Sequence, residues 1–282
     1  MRPTPFLPLL VTFALLAAAL TAHAGPMKAV LDCSEQKGKL LDLHFTRYPQ
    51  KPQTIFRQDD LPGVRFWLPP EAKDIGQTML YSKFVVAGNF EISMTYDGYS
   101  VEPPKSGYGV SVGIAVDTEN ADGKPGIRVS LARGSFVGRG DGYAVTVGTL
   151  KTKKGERGID YKETNFETDR SKKGKIALKR VRDKLICLTG DPAAPIDDLN
   201  EIAKIKFTDS TVKKVRIYAD QGGSPTQLDV YVSDLLVRAE EITYQIPARD
   251  QPGWFWWLIG GITFLIASVI ATIVYRRRGN QS

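Results

Sequence analysis

Residues 89–99 read NFEISMTYDGY, and the apolar positions alternate without a break. Phe90, Ile92, Met94 and Tyr96 fall on one side of an extended chain, and Glu91, Ser93, Thr95 and Asp97 fall on the other. Successive side chains of a strand point to opposite faces, so this stretch predicts a strand with one face in a core. The pattern recurs along the chain. GYGVSVGIAVD puts Tyr108, Val110, Val112, Ile114 and Val116 on one face and the small set Gly109, Ser111, Gly113 and Ala115 on the other. GIRVSLARG, GYAVTVGTL, VKKVRIYADQ and QLDVYVSDLLV repeat it. Turn pairs punctuate these runs at Asp97-Gly98, Asp122-Gly123, Asp141-Gly142 and Gly222-Gly223. Helix signals are scarce between the two ends of the chain, and the best is PIDDLNEIAKI, a short one with Asp197 as its N-cap. Many short strands with frequent turns predict an all-β chain, a two-sheet antiparallel sandwich.

The two ends break the pattern. Residues 1–24 join Arg2, an apolar run from Phe6 to Leu20 and the small-residue site Ala22-His23-Ala24, as a cleaved signal peptide does. Trp254–Tyr275 carries no charge. A helix there, at about 1.5 Å per residue, spans roughly 33 Å, enough for a bilayer core of about 30 Å. Tryptophans crowd its start, Tyr275 closes it, and Arg276–Arg278 follow, which places that end in the cytoplasm. The expected organisation is a signal peptide (1–24), an exported sandwich (25–246), a linker (247–253), a transmembrane helix (254–275) and a basic tail (276–282). The exported domain would stand in the periplasm or at the cell surface. The linker reaches at most about 23 Å at roughly 3.3 Å per residue, which keeps the domain near the membrane. A sorting signal cut before the helix is the alternative reading of the same tail.

The formal charge of +7 overstates the basic character of the domain. Removing Arg2 and Arg276–Arg278 from the 38 basic residues leaves 34 against 31 acidic ones, too balanced for a nucleic-acid surface. Cys33 and Cys187 both lie in the exported part, where an even count predicts one disulfide worth up to about 5 kcal/mol. Two buried thiols are the alternative. Gly138–Gly142 contains Arg-Gly-Asp, which reads as a turn between two strands in preference to an adhesion motif.

Three stretches carry a resemblance. VAGNFEISMTY resembles the early strand of concanavalin-A-like lectin/glucanase jelly rolls, GKIALKRVRDKLICLTG their late hairpin, and KKVRIYADQGGSPTQLDVYVSDLLVRAEEI their closing pair. The layout with a C-terminal helix and arginines is similar to a group of bacterial membrane-anchored surface proteins with this domain. The resemblance implies a jelly roll that binds or cleaves glycans. The Glu-x-Asp-x-x-Glu pattern of many retaining hydrolases is absent. Glu163 and Glu167 in YKETNFETD, with Asp169, are the nearest substitute, and their spacing places them on one strand face. His44 alone remains outside the leader, which argues against a histidine triad or a zinc site.

No catalytic set is therefore assigned, and a non-catalytic envelope protein that binds a glycan or a partner protein is the leading expectation. A polysaccharide hydrolase and a purely structural protein are the rivals. The candidate binding residues are Trp67, Glu91, Asp97, Arg128, Arg216, Tyr218 and Asp220, on polar strand faces that would line one groove if their strands share a sheet. The small face Gly109-Ser111-Gly113-Ala115 would leave room for a ligand beside them. No cofactor is required. A calcium ion in DTENADGKPG, with Asp117 and Asp122 as ligands, is a weaker expectation, because the loop lacks the EF-hand glutamate.

Overall fold

The computed structural model describes residues 27–33, 42–48, 56–57, 63–70, 77–118, 126–153 and 156–245. The expected leader, linker, membrane helix, tail and Asp122 lie outside the described residues. No helix among the described residues is long and apolar enough to cross a membrane.

The strands are β1 (Ala29–Asp32), β2 (Phe45–Tyr48), β3 (Phe56–Arg57), β4 (Val64–Leu68), β5 (Gln77–Ser82), β6 (Phe84–Val101), β7 (Gly109–Thr118) and β8 (Ile127–Phe136). They continue as β9 (Gly140–Lys153), β10 (Glu156–Thr168), β11 (Gly174–Val181), β12 (Lys184–Gly190), β13 (Asn200–Lys206), β14 (Val212–Asp220) and β15 (Leu228–Tyr244). Every pairing is antiparallel. The front layer runs β2-β5-β14-β7-β8-β9-β10. The back layer runs β15-β6-β11-β12-β13, with β4 and then β1 along the other edge of β15 and β3 on β4. β5 and β6 form almost one run of chain that leaves the front layer and enters the back layer at Lys83. The single pair Val212–Val86 joins the two layers at that corner. A strand that changes sheets is a common way to close the corner of a sandwich.

The core lies between the layers, where the alternation placed it. Phe90, Ile92, Met94 and Tyr96 of β6 are fully buried, as are Val110, Val112, Ile114 and Val116 of β7. The Tyr96 hydroxyl meets the Tyr143 hydroxyl of β9 at 2.7 Å across the gap. Cutting a core residue such as Ile92 to alanine would cost about 2–5 kcal/mol.

Several local expectations fail, each for a physical reason. Asp97-Gly98 is a bulge inside β6: Asp97 pairs with Tyr231 and Ser100 with Asp229, so β6 carries one extra residue. Asp141-Gly142 lies within β9, and the turn of that hairpin is Val137–Arg139. PIDDLNEIAKI forms one 3-10 turn, Ile196–Asp198, with Pro195 rather than Asp197 as its N-cap. Its second half is β13, drawn into the sheet by pairing with β12, and that tertiary ladder outweighs a weak helix preference. The expected disulfide is absent, and Cys33 and Cys187 are free and buried. The Cys33 amide bonds to Leu235 of β15, whereas Cys187 sits on β12, beyond β6 and β11. Strand spacings of about 4.8 Å put them roughly 19 Å apart, far outside the Cα reach of a disulfide at about 7 Å.

Candidate functional site

The outer face of the front layer carries a trough. Strand register lines up Arg216, Ala115, Ser130, Thr146 and Glu163 as one row across β14, β7, β8, β9 and β10. The next row is Tyr218, Gly113, Ala132, Ala144 and Phe166. The small side chains in the middle strands form the floor of a cavity of about 320 Å³. That volume falls within the usual range of small-ligand sites. At Gly113 the spare room is already used, because a Cβ there would meet the Tyr218 hydroxyl at 2.9 Å. Tyr218 lies buried along the floor.

One end of the trough is built on a shared carboxylate. Arg128 donates to Asp117 from Nε and a terminal nitrogen at 2.7 and 3.0 Å. Arg216 donates to the same carboxylate at 2.9 and 2.5 Å. Arg128 also donates to the Tyr161 hydroxyl at 2.8 Å, and Arg216 lies 4.7 Å from the centre of the Tyr81 ring. Burial works against the charge on Arg128, but the bonds to Asp117 and the field of Tyr161 outweigh it and raise its pKa. A cation at Asp117 would meet a carboxylate already neutralised by two guanidiniums.

The other end holds Asp220. Its oxygens accept from the Gly222 amide at 2.7 Å and the Gln77 side-chain amide at 3.0 Å. Burial pushes its carboxyl upward, against these two bonds. The β8–β9 turn folds over this region, since Arg139 at its tip forms an ion pair with Glu163 of β10. The cross-strand pair Gly134–Gly142 leaves room for the bend. A Cβ on Gly134 would come within 2.5 Å of the Phe136 ring, and one on Gly142 within 2.7 Å of the Phe166 ring. Tyr108 donates to Glu163 at 2.6 Å, and the Arg139 bond holds the Glu163 carboxyl below its usual range. Of the Arg-Gly-Asp segment only Arg139 lies in the hairpin turn, with its guanidinium engaged within the chain, while Gly140 and Asp141 begin β9.

Of the sequence candidates, Arg128, Arg216, Tyr218 and Asp220 come together here. Glu91 does not: it lies on the back layer, 2.8 Å from Lys179 and 3.9 Å from Arg238. Asp97 lines a separate polar cavity of about 640 Å³ with Glu167, Asp169, Lys172 and Lys173. Trp67 sits half-buried on β4 at the edge of the back layer, paired with Asp229. The shared face expected for Glu163, Glu167 and Asp169 is lost at a bulge. Glu163 pairs with Thr146 but Asn165 with Val145, so Thr164 is extra and Glu167 turns away from the trough. His44 pairs its Nδ1 with the Tyr244 hydroxyl at 2.6 Å, outside the trough.

The sequence reading missed the two rim tyrosines. Tyr161 is 57% exposed and lies two residues before Glu163, so period two could have placed it on the same face. Tyr108 was expected with the buried set of β7 but is 48% exposed, because it precedes the strand and bonds to the Gly222 carbonyl instead.

The sequence pattern of the family described as "Protein of unknown function (DUF1583) C domain" matches residues 18–252. The chain belongs to that family. A search of the curated proteins gave no match for this DUF1583 C domain. Among solved structures, it is similar to a legume lectin-like domain from Entamoeba histolytica, at 14% identity and a TM-score of 0.47, over 77% of this chain and 97% of that one. It is also similar to a LamA variant from Z. galactanivorans in complex with laminaritriose and laminaritetraose, at 11% identity and a TM-score of 0.47, over 78% of this chain and all of that one. The kappa-carrageenase from Pseudoalteromonas carrageenovora matches at 9% identity and a TM-score of 0.37, over 57% of this chain and 68% of that one. The jelly-roll sandwich of the DUF1583 C domain rests on its own strand order.

Proposed function

We propose that this DUF1583 C domain binds a glycan in the front-layer trough and does not cleave it. The observation that carries the reading is the pairing of exposed aromatic rims with polar groups. Tyr161 and Tyr108 offer flat apolar faces to sugar rings, and Arg128, Ser130, Gln77 and Asp220 lie between them to meet hydroxyl groups. The carboxylates argue against cleavage as they stand. Glu163 is engaged by Arg139 and Tyr108, and each oxygen of Asp220 already accepts a bond. The signal and anchor patterns of the sequence support a place for the domain at the outer face of a membrane, within the cell envelope.

One observation favours a hydrolase as the second reading. Glu163 and Asp220 share the trough, and their surroundings push their carboxyl pKa values in opposite directions, as an acid/base pair requires. The test is a screen of the full chain, in mild detergent, against envelope and extracellular polysaccharides, with reducing-end release followed in the same wells. Saturable binding without release, weakened by Tyr161→Ala, is the expected result. Release that Glu163→Gln abolishes would establish the hydrolase. Neither binding nor release would make a partner protein the better reading.

A further inference from the structure

We infer that the ligand of the trough is an acidic glycan, and that a uronate carboxylate sits against the Arg128–Arg216 end. This rests on the glycan reading above and adds the chemistry of the sugar. Arg128 and Arg216 bring two positive charges to the same end of the cavity, and among the described residues Asp117 is the carboxylate paired with both. One positive charge is left over. The other carboxylates of the trough do not cancel it. Glu163 is matched by Arg139, and Asp220 lies four residues along β14 from Arg216, with its oxygens held by the Gly222 amide and the Gln77 side chain.

The surplus charge is also partly shielded from water. The side chains of Arg128 and Arg216 are only 12% and 13% exposed. A charge in that setting interacts more strongly with a ligand than one on an open surface. Each guanidinium turns its Nε edge to Asp117 and keeps one terminal nitrogen on weaker partners. For Arg128 that partner is the Tyr161 hydroxyl, and for Arg216 it is the Tyr81 hydroxyl at 3.3 Å and the Met79 sulfur at 3.7 Å. A planar carboxylate fits such N–H groups better than a neutral hydroxyl does. Tyr161 beside it supplies a ring face for the sugar that carries the acid. A sulfate ester would seek the same nitrogens, and the experiment separates the two.

The full chain, in mild detergent, is titrated with polygalacturonate, dextran sulfate and neutral dextran. Galacturonate and galactose serve as competitors. Polygalacturonate should bind saturably, galacturonate should displace it, and galactose should not. Arg216→Gln should weaken that binding roughly tenfold or more, the loss expected for one charge-assisted hydrogen bond, with an unchanged melting curve as the check on folding. Should the variant not fold, the two competitors on the unaltered protein still decide the matter. Equal binding of dextran overturns the acidic assignment and leaves a neutral-glycan site. Binding of dextran sulfate alone overturns the uronate. Polygalacturonate binding that Arg216→Gln leaves intact places the ligand elsewhere and also overturns it. If no polymer binds at all, the glycan reading itself fails.

Discussion

The Arg139 guanidinium lies 4.6 Å from the centre of the Phe166 ring, which ties the β8–β9 tip to β10. The same group holds Glu163, whose pKa is lowered mainly by that bond. A depressed carboxylate stabilises the fold above its unfolded pKa, and the contribution is lost as pH falls through the lower folded value. Arg139→Ala should therefore return Glu163 toward the ordinary glutamate range, read by NMR titration. The stability loss should stay near or below about 1 kcal/mol, since the pair is partly open to solvent. A Glu163 titration unmoved by the change would refute the coupling.

Asp220 should show the opposite dependence. Burial raises its pKa, so the folded state holds its proton more tightly than the unfolded chain does. Its contribution is present at low pH and is lost as pH rises from the unfolded aspartate value through the raised folded one. Asp220→Asn should remove that loss and stabilise the protein at neutral pH relative to acid. Urea midpoints at two pH values measure it.

Arg180 is a buried cation with a structural task. It donates to the Ser210 carbonyl at 2.7 Å and to the Gly88 carbonyl, over the Phe90 ring at 5.0 Å. Arg180→Met keeps the volume but leaves those carbonyls without their donor. A loss of about 3 kcal/mol or more is expected in denaturant melts. A loss under about 1 kcal/mol would mean that water replaces the guanidinium.

The two cysteines should behave as inert core residues. Burial pushes both thiols up to about 12. Thiol reagents should label them only on unfolding, and a reductant should leave the melting temperature unchanged. A drop on reduction would signal a disulfide.

Much of this architecture is legible in period-two alternation, because the apolar positions of a strand turn together toward the core between the layers. The faces of β6 and β7 follow directly from residues 90–97 and 109–117. What alternation omits is which strands are neighbours. Arg216 and Arg128 are far apart in sequence and meet only because β14 and β8 flank β7. Glu91 and Asp97 have the same polar pattern, yet β6 belongs to the other layer. A single extra residue, Thr164, turns Glu167 to the opposite face, and residue spacing carries no mark of it.

The passage of β5 into β6 at Lys83 has a kinetic consequence. β5 pairs with β14 under the trough while β6 pairs with β11 and β15 in the back layer, so a loss of order at Lys83 reaches both layers. Amide exchange in β14 and in β11 should therefore proceed by one shared opening event, with equal protection in both. On that view the site has no breathing motion of its own at the level of the sheet, and a ligand would find its floor already set before it arrives.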